Sequence, residues 1–234
     1  MNPVTFLIRV GGDYACFTNP GLKVERCTYP VMTPAAARGV LEAIFWKPQF
    51  RWEIREIKIL KPIKQMSIMR NEIKDRQNEK PIVIEQKKQR QQRASLILKA
   101  VEYVVTTELV LKAGINNIIG YSDQFRRKLE GGQCHHTPYL GTREFAAWFE
   151  PATGREEPDE PIKELYLGQM LFDTAYREDD QRIEIDFHRH KGEGKRVARG
   201  YAHALFFDAT VKDNVLTVPP DKYRDLYELE GVYV

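Results

Sequence analysis

The chain has 234 residues, 42% of them hydrophobic and 29% charged, and its 36 Lys and Arg against 33 Asp and Glu leave a formal net charge of +3. That supplies a sizeable core for one large domain or two small ones, and 11 Phe, 11 Tyr and 3 Trp exclude a disordered polymer. The longest apolar runs, such as Ala43 to Trp46, fall far short of the roughly 20 residues a bilayer span needs, so no membrane partner is expected.

The opening MNPVTFLIRV lacks a basic stretch followed by an apolar one, so no signal peptide is expected. Within it, Thr5 to Val10 is rich in β-formers and reads as a buried strand. GGDYACFTNPG follows, dense in Gly, Asn, Asp and Pro, and reads as a structured loop. Thr33 then caps a helix with Pro34 at its first position, and Ala37, Val40, Leu41 and Ile44 give it one apolar stripe. Pro48 stops it, because the residue before a proline avoids the α region. RWEIREIKILKPI alternates with one irregularity through Trp52, Ile54, Ile57 and Ile59, as a half-buried strand does.

From Lys64 to Arg93 the chain turns to Lys, Arg, Gln and Asn, interrupted only by PIVIE, and reads as an exposed excursion between two core strands. Val101 to Leu111 is a strand. SDQFRRKLEGG is a basic helix capped by Ser122 and stopped by Gly131 and Gly132. REFAAWFE, Arg143 to Glu150, is another strand. GREEPDEP, Gly154 to Pro161, is acidic and Pro-rich and marks a domain boundary. Beyond it, LYLGQMLFD, QRIEIDFHRH, YAHALFFDATV and NVLTVPP form a small antiparallel assembly, with Lys212 to Asn214 as a hairpin turn.

This order predicts an α+β chain. Residues 1–153 would be a ferredoxin-like βαββαβ domain carrying the basic excursion at 64–93, and 154–234 a small antiparallel β domain. RNA-recognition modules share the first arrangement and stack bases on its open sheet face.

The small net charge conceals an asymmetry. Between Lys47 and Ala100 there are 15 Lys and Arg and 6 Asp and Glu, a local +9, which leaves −6 for the remainder. Such a block is the footprint of a phosphate-binding surface, or alternatively a solvated face. The candidate phosphate contacts are Lys47, Arg51, Lys61, Lys64, Arg70, Arg90 and Arg93, with Arg126, Arg127 and Lys128 on the basic helix. His135 and His136, in a Gly-flanked loop after that helix, suit proton transfer near neutral pH, with simple RNA contact or packing as the alternative. His188 and His190 share one strand face and read as a solvated edge more readily than as a metal pair. The three cysteines, Cys16, Cys27 and Cys134, are scattered and never spaced as CxxC, which argues against a disulfide framework and for a cytoplasmic setting. Cys134 has no second ligand at zinc spacing, and neither GGD at Gly11 nor GEGK at Gly192 has P-loop spacing, so no metal or other cofactor is expected.

Four stretches carry a family resemblance: GDYACFTNPGLKVERCTYPVMTPAAARGVLEAIFWKPQFRW from Gly12 to Trp52, IKILKPI with the following IMRNE, RQQRASLILKAVEYVV, and RRKLEGGQCHHTPYLGTREFAAWF. Together they resemble the type I-C member of the fifth CRISPR-associated protein family, within the repeat-associated mysterious protein superfamily. The resemblance implies a ferredoxin-like N-terminal domain and a β-rich C-terminal one. It implies binding of the CRISPR repeat hairpin and metal-independent cutting of the precursor transcript at its base. It further implies retention of the 5′ handle within the Cascade interference complex, beside the backbone and large subunits and with target DNA as a further partner.

Metal-independent cleavage of RNA is chemically reasonable because the substrate brings its own nucleophile. The 2′-hydroxyl attacks the adjacent phosphorus, leaving a 2′,3′-cyclic phosphate and a 5′-hydroxyl. The protein then needs a base, an acid and a cation for the extra negative charge. Family members resemble one another in a Tyr just before WKP and a Lys-His pair upstream of the basic helix. This chain departs from that pattern. Phe45 precedes WKP, and Gly120-Tyr121 stands where the pair is expected. The catalytic candidates are therefore Tyr121, His135 and His136. A non-catalytic subunit that only grips the handle is the alternative reading.

Overall fold

The computed structural model describes residues 3–22, 24–74, 90–191 and 194–232. Its strands are β1 (Val4–Ala15), β2 (Phe50–Ile59), β3 (Gln65–Ile73), β4 (Arg90–Leu111), β5 (Trp148–Pro151), β6 (Glu164–Glu178), β7 (Ile185–Lys191), β8 (Gly194–Lys212) and β9 (Val215–Thr217). Helices α1 (Pro34–Ile44), α2 (Ile118–Glu130) and α3 (Asp221–Glu230) complete the described elements. The chain is thus mixed α and β, dominated by antiparallel sheet.

The strands form one sheet in the order β5-β1-β4-β2-β9-β8-β6, with β3 added to β4 and β7 to β8. Every named pairing is antiparallel. Apolar side chains from one face of this sheet and from the three helices make a continuous core, in which Ile8, Ile44, Ile54, Ile57, Leu98, Leu109, Phe125, Met170, Phe172 and Val211 are fully buried. The sheet crosses the acidic Pro-rich stretch without a break, because β9 pairs with β2 through Ile57↔Leu216. That stretch also docks on β2: Asp159 N donates to Leu60 O at 2.9 Å and Lys58 Nζ to Glu156 O at 2.7 Å.

Several local expectations are refined. The Gly-rich GGDYA does not leave the sheet; it extends β1 to Ala15. Gly11 is needed there because a Cβ would stand 2.4 Å from the Trp148 ring and 2.8 Å from Val101 O, a close approach that only glycine permits in a strand. The cap of α2 is Asn117, whose Oδ1 accepts from Gly120 N at 3.1 Å; Ser122 lies inside the helix with its hydroxyl buried and unpartnered. REFAAWFE contributes only the short β5, because the chain before it folds back through Phe145 N to Thr142 O and Ala147 N to Pro138 O. Within the basic excursion β3 pairs with the first part of β4, and residues 75–89 lie outside the described residues. The irregularity in the β2 pattern is a bulge between Ile54 and Glu56, where the Tyr223 hydroxyl accepts from Ile54 N at 2.5 Å. Helix α3, which brings Tyr223, has an apolar stripe too weak to be read from the sequence.

The β8–β9 turn shows how the two halves are knitted. Asp213 and Asn214 both take the left-handed conformation, with φ of 47° and 63°, as the commonest two-residue hairpin turn requires. Asn214 is buried; its Oδ1 accepts from Ile162 N at 2.8 Å and its Nδ2 donates to Glu160 O at 2.9 Å. Its backbone carbonyl accepts from Ile59 N at 2.8 Å. Replacing it with Ala leaves two partly buried backbone groups without these bonds, so Asn214→Ala is expected to cost about 1–3 kcal/mol in urea unfolding; a loss under about 0.5 kcal/mol would show that solvent replaces those bonds.

Candidate functional site

Helix α1 follows from its sequence: Thr33 Oγ1 accepts from Ala36 N at 3.2 Å, Pro34 opens the first turn, and Ala37, Val40, Leu41 and Ile44 face the core. It ends at Ile44, one residue before Phe45 turns extended. The Phe45 ring packs at 5.4 Å from Phe50 and 6.5 Å from Phe125, and its carbonyl accepts from Trp52 Nε1 at 2.9 Å. Those buried contacts turn the next two residues outward, leaving Trp46 42% exposed and Lys47 exposed beside it.

The loop after α2 closes on the same helix end. Gly131 caps α2, and the chain then runs to His135 and His136, whose backbone N–H groups donate to Ala43 O at 2.8 and 3.3 Å. Both imidazoles are solvent-exposed, with ring centroids 5.8 Å apart. Tyr121, half-buried on α2, sits 5.5 Å from the Phe50 ring. The two histidines are thus tied to the last turn of α1, which Lys47 follows, whereas Tyr121 stands near the start of α2, ten residues of chain before Gly131. Arg126 and Arg127 are exposed on α2, held loosely by Asp123: Arg126 reaches its carboxylate at 3.3 Å and lies 5.5 Å from the Phe6 ring, and Arg127 Nε donates to its carbonyl at 3.3 Å. Lys128 on the same helix is partly exposed.

The remaining candidate cations lie elsewhere. Arg51 pairs with Glu230 of α3 and stacks 5.0 Å from the Tyr227 ring, so it is spent on holding α3. Arg70 and Arg93 sit on the β3–β4 hairpin, toward the opposite end of β4 from α1. Arg70 bonds Ser95 Oγ and Glu72 at 2.8 Å each, and Arg93 reaches Glu72 at 3.3 Å. Arg90 opens β4 opposite Ile73. Lys61 pairs with Asp159 at 2.9 Å, and Lys64 is exposed just before β3.

Beside the α1 turn lies a cleft of about 580 Å³ that sequence reasoning missed. Trp46, Lys112, Arg189, His188 and His190 line it. The His190 ring meets the Trp46 ring edge-on, 5.0 Å between centroids, which joins β7 to the residue after Phe45. Lys112 follows β4 and is held there by its N–H to Gln49 O at 3.0 Å. Burial holds its ammonium below the ordinary value, the Arg51 and Arg189 cations add to that, and Glu230 and Glu42 oppose it from a distance. Among the described residues no carboxylate pairs with it, and no group of three or more His, Cys, Asp or Glu side chains is placed to share a metal ion. The signal available in sequence was the exposed Trp in FWKP and the alternation of His188 and His190; nothing local showed that they meet.

Comparison with known proteins adds the following. The family model described as CRISPR-associated protein (Cas_Cas5) matches residues 5–219. A protein of Thermus thermophilus named CRISPR pre-crRNA endoribonuclease Cas5d is 49% identical over 224 residues, covering 95% of both chains. One of the same name from Mannheimia succiniciproducens is 36% identical over 228 residues, covering 91% of this chain and 94% of its own. Two solved structures are alike in fold: a CRISPR-associated protein with TM-score 0.63 at 19% identity over 95% of both chains, and the functionally uncharacterized SMU1763c of Streptococcus mutans with TM-score 0.62 at 19% identity over 94% of both.

Lys112 makes the cleft testable by stability. Between its lowered value and 10.5 the unfolded chain holds more protons on this residue, so its contribution to stability rises with pH across that window and is unfavourable below it. Lys112→Gln is expected to be the more stable protein in urea melts at neutral pH, its advantage shrinking as pH approaches the ordinary lysine value; a pH-independent difference would contradict this assignment.

Proposed function

Because the chain belongs to the Cas5d branch of the CRISPR-associated Cas5 family, we propose that it is an endoribonuclease that cuts the precursor CRISPR transcript at its repeat and stays on the 5′ handle. The observation that carries the site assignment is the loop of His135 and His136 anchored on the Ala43 carbonyl, at the helix end that Lys47 follows. With ring centroids 5.8 Å apart, the two imidazoles can flank one phosphodiester.

In this mechanism one imidazole takes the proton of the 2′-hydroxyl while its oxygen attacks phosphorus. The bond from phosphorus to the 5′-oxygen breaks, and the other imidazole or the Tyr121 hydroxyl protonates the leaving oxygen. The products are a 2′,3′-cyclic phosphate and a 5′-hydroxyl, with no water consumed. Lys47 and the exposed Arg126, Arg127 and Lys128 offset the charge that develops on the phosphate.

The strand order β5-β1-β4-β2 supports reading residues 1–153 as a ferredoxin-like unit, with 154–234 as a second, β-rich one that shares its sheet. The partners in this reading are the repeat hairpin, the 5′ handle and the backbone and large subunits of Cascade, with target DNA reached through the complex. The setting is the cytoplasm, on the scattered free cysteines. No described helix is long and apolar enough to cross a membrane.

A second reading, a handle-binding subunit without activity, is favoured by one observation: Phe45, where the family pattern has a Tyr, is buried and carries no hydroxyl. One assay decides. Repeat RNA incubated with the protein in EDTA is expected to be cut to a 2′,3′-cyclic phosphate, and the same RNA with a 2′-deoxy at the cut position is expected to bind uncut. Binding of both without cleavage establishes the second reading. His135→Ala and His136→Ala are each expected to slow single-turnover cleavage by about 100-fold or more with binding retained; full activity in both variants would move the acid and base elsewhere.

A further inference from the structure

The cleft beside the α1 turn has a use that the cutting site does not absorb. Its volume of about 580 Å³ lies within the ~300–1,000 Å³ typical of small-ligand pockets, room for a single nucleotide. One wall is aromatic and still open to solvent: Trp46 is 42% exposed, with His190 packed against its ring at 5.0 Å. The opposite requirement, a place for a phosphate, is met by Lys112. Its neighbours in the cleft are already neutralised: Arg38 by Asp173 at 2.7 Å, Arg51 by Glu230, and Arg189 by Glu178 at 3.4 Å. Among the described residues lining the cleft, Lys112 is the Lys or Arg side chain in no ion pair, with Glu230 and Glu42 acting on it only at a distance. Arg51 also keeps a buried Nε without a hydrogen-bond partner.

We propose that this cleft is a nucleotide subsite, in which one unpaired base of the repeat RNA stacks on Trp46 and its phosphate meets Lys112. His190 is a positioning residue that holds the indole upright from β7. The inference rests on the RNA-binding reading and extends it, because it draws the C-terminal half of the chain into RNA recognition at a point that Phe45 and the two loop histidines do not touch. A half-buried, unpaired lysine is costly to the fold by itself, and an RNA phosphate supplies the missing partner. An exposed indole next to it tolerates any base, since every base has a face to stack.

The test uses CRISPR repeat RNAs that each carry 2-aminopurine at one position. With the intact protein, one position is expected to lose fluorescence on binding through stacking. That loss should vanish in Trp46→Ala, persist in Trp46→Phe, and weaken in His190→Ala. Trp46→Ala is expected to bind about 5- to 150-fold more weakly. Lys112→Ala should reduce the slope of log affinity against log salt by about 0.7, the loss of one single-strand phosphate contact, whereas His190→Ala should leave it unchanged. RNA bound and cut with no Trp46-dependent quenching, or an unaltered salt slope in Lys112→Ala, overturns the subsite alone. Failure of the unmodified protein to bind any repeat RNA overturns the endoribonuclease reading and this subsite with it.

Discussion

The buried hydrogen bond from Trp52 Nε1 to the Phe45 carbonyl fixes the chain reversal between α1 and β2, and the candidate site is built around that reversal. A buried carbonyl at a helix end must find a donor, and an indole N–H must find an acceptor. Satisfying both at once forces Phe45 inward against Phe50 and Phe125 and sends Trp46 and Lys47 outward. Phe125 in turn sits 4.5 Å from Trp52 and 4.8 Å from Phe6, so the same aromatic cluster seats α2 against the sheet. The loop that leaves α2 then arrives at the Ala43 carbonyl with two histidines. Helix end, loop and basic helix are thus tied together by these contacts.

Electrostatics inside the molecule explain why a basic stretch of sequence is not a uniformly basic surface. Carboxylates consume several of its cations: Glu230 and Asp159, distant in the chain, take Arg51 and Lys61, and Glu72 of the same stretch takes Arg70 and Arg93. Glu144 reaches the same hairpin cluster, at 3.6 Å from Arg26 and 3.5 Å from Arg70. The exposed pair of Lys61 with Asp159 contributes little to stability, whereas Arg51 with Glu230 is largely buried and fastens α3 to β2. Among the described residues, Lys47 is exposed and in no ion pair, while Arg126 of α2 keeps only a loose, exposed pair with Asp123. Lys112 is half-buried among other cations and, among the described residues, in no ion pair with the carboxylates near it.

The C-terminal half is more than an appendage. Tyr223 accepts from and donates to the backbone of Ile54 at the β2 bulge, and the Tyr227 hydroxyl donates to Glu53 at 2.6 Å. Burial pushes both phenols far above their ordinary range, so they stay neutral and serve as hydrogen-bond partners at any physiological pH. Through these contacts α3 and β7 become the far wall of the cleft whose near wall is Trp46.

Sequence alone determined what depends on neighbours along the chain. Periodicity found α1 and the strand within RWEIREIKILKPI, β-former content found those at Thr5 to Val10 and Val101 to Leu111, and Thr33 with Pro34 marked a helix start because capping is a matter of three or four residues. The quoted strings pointed to the family, and the family match runs over residues 5–219. Tertiary structure decided what depends on residues distant in sequence. The length of β1 rests on Trp148 lying over Gly11, and the use of Arg51 on Glu230 across 179 positions. The meeting of Trp46 with His190 rests on β7 reaching the α1 turn. Local pattern encodes the shape of an element, whereas the partner of a charge or an exposed ring is set only when the sheet order brings remote segments side by side.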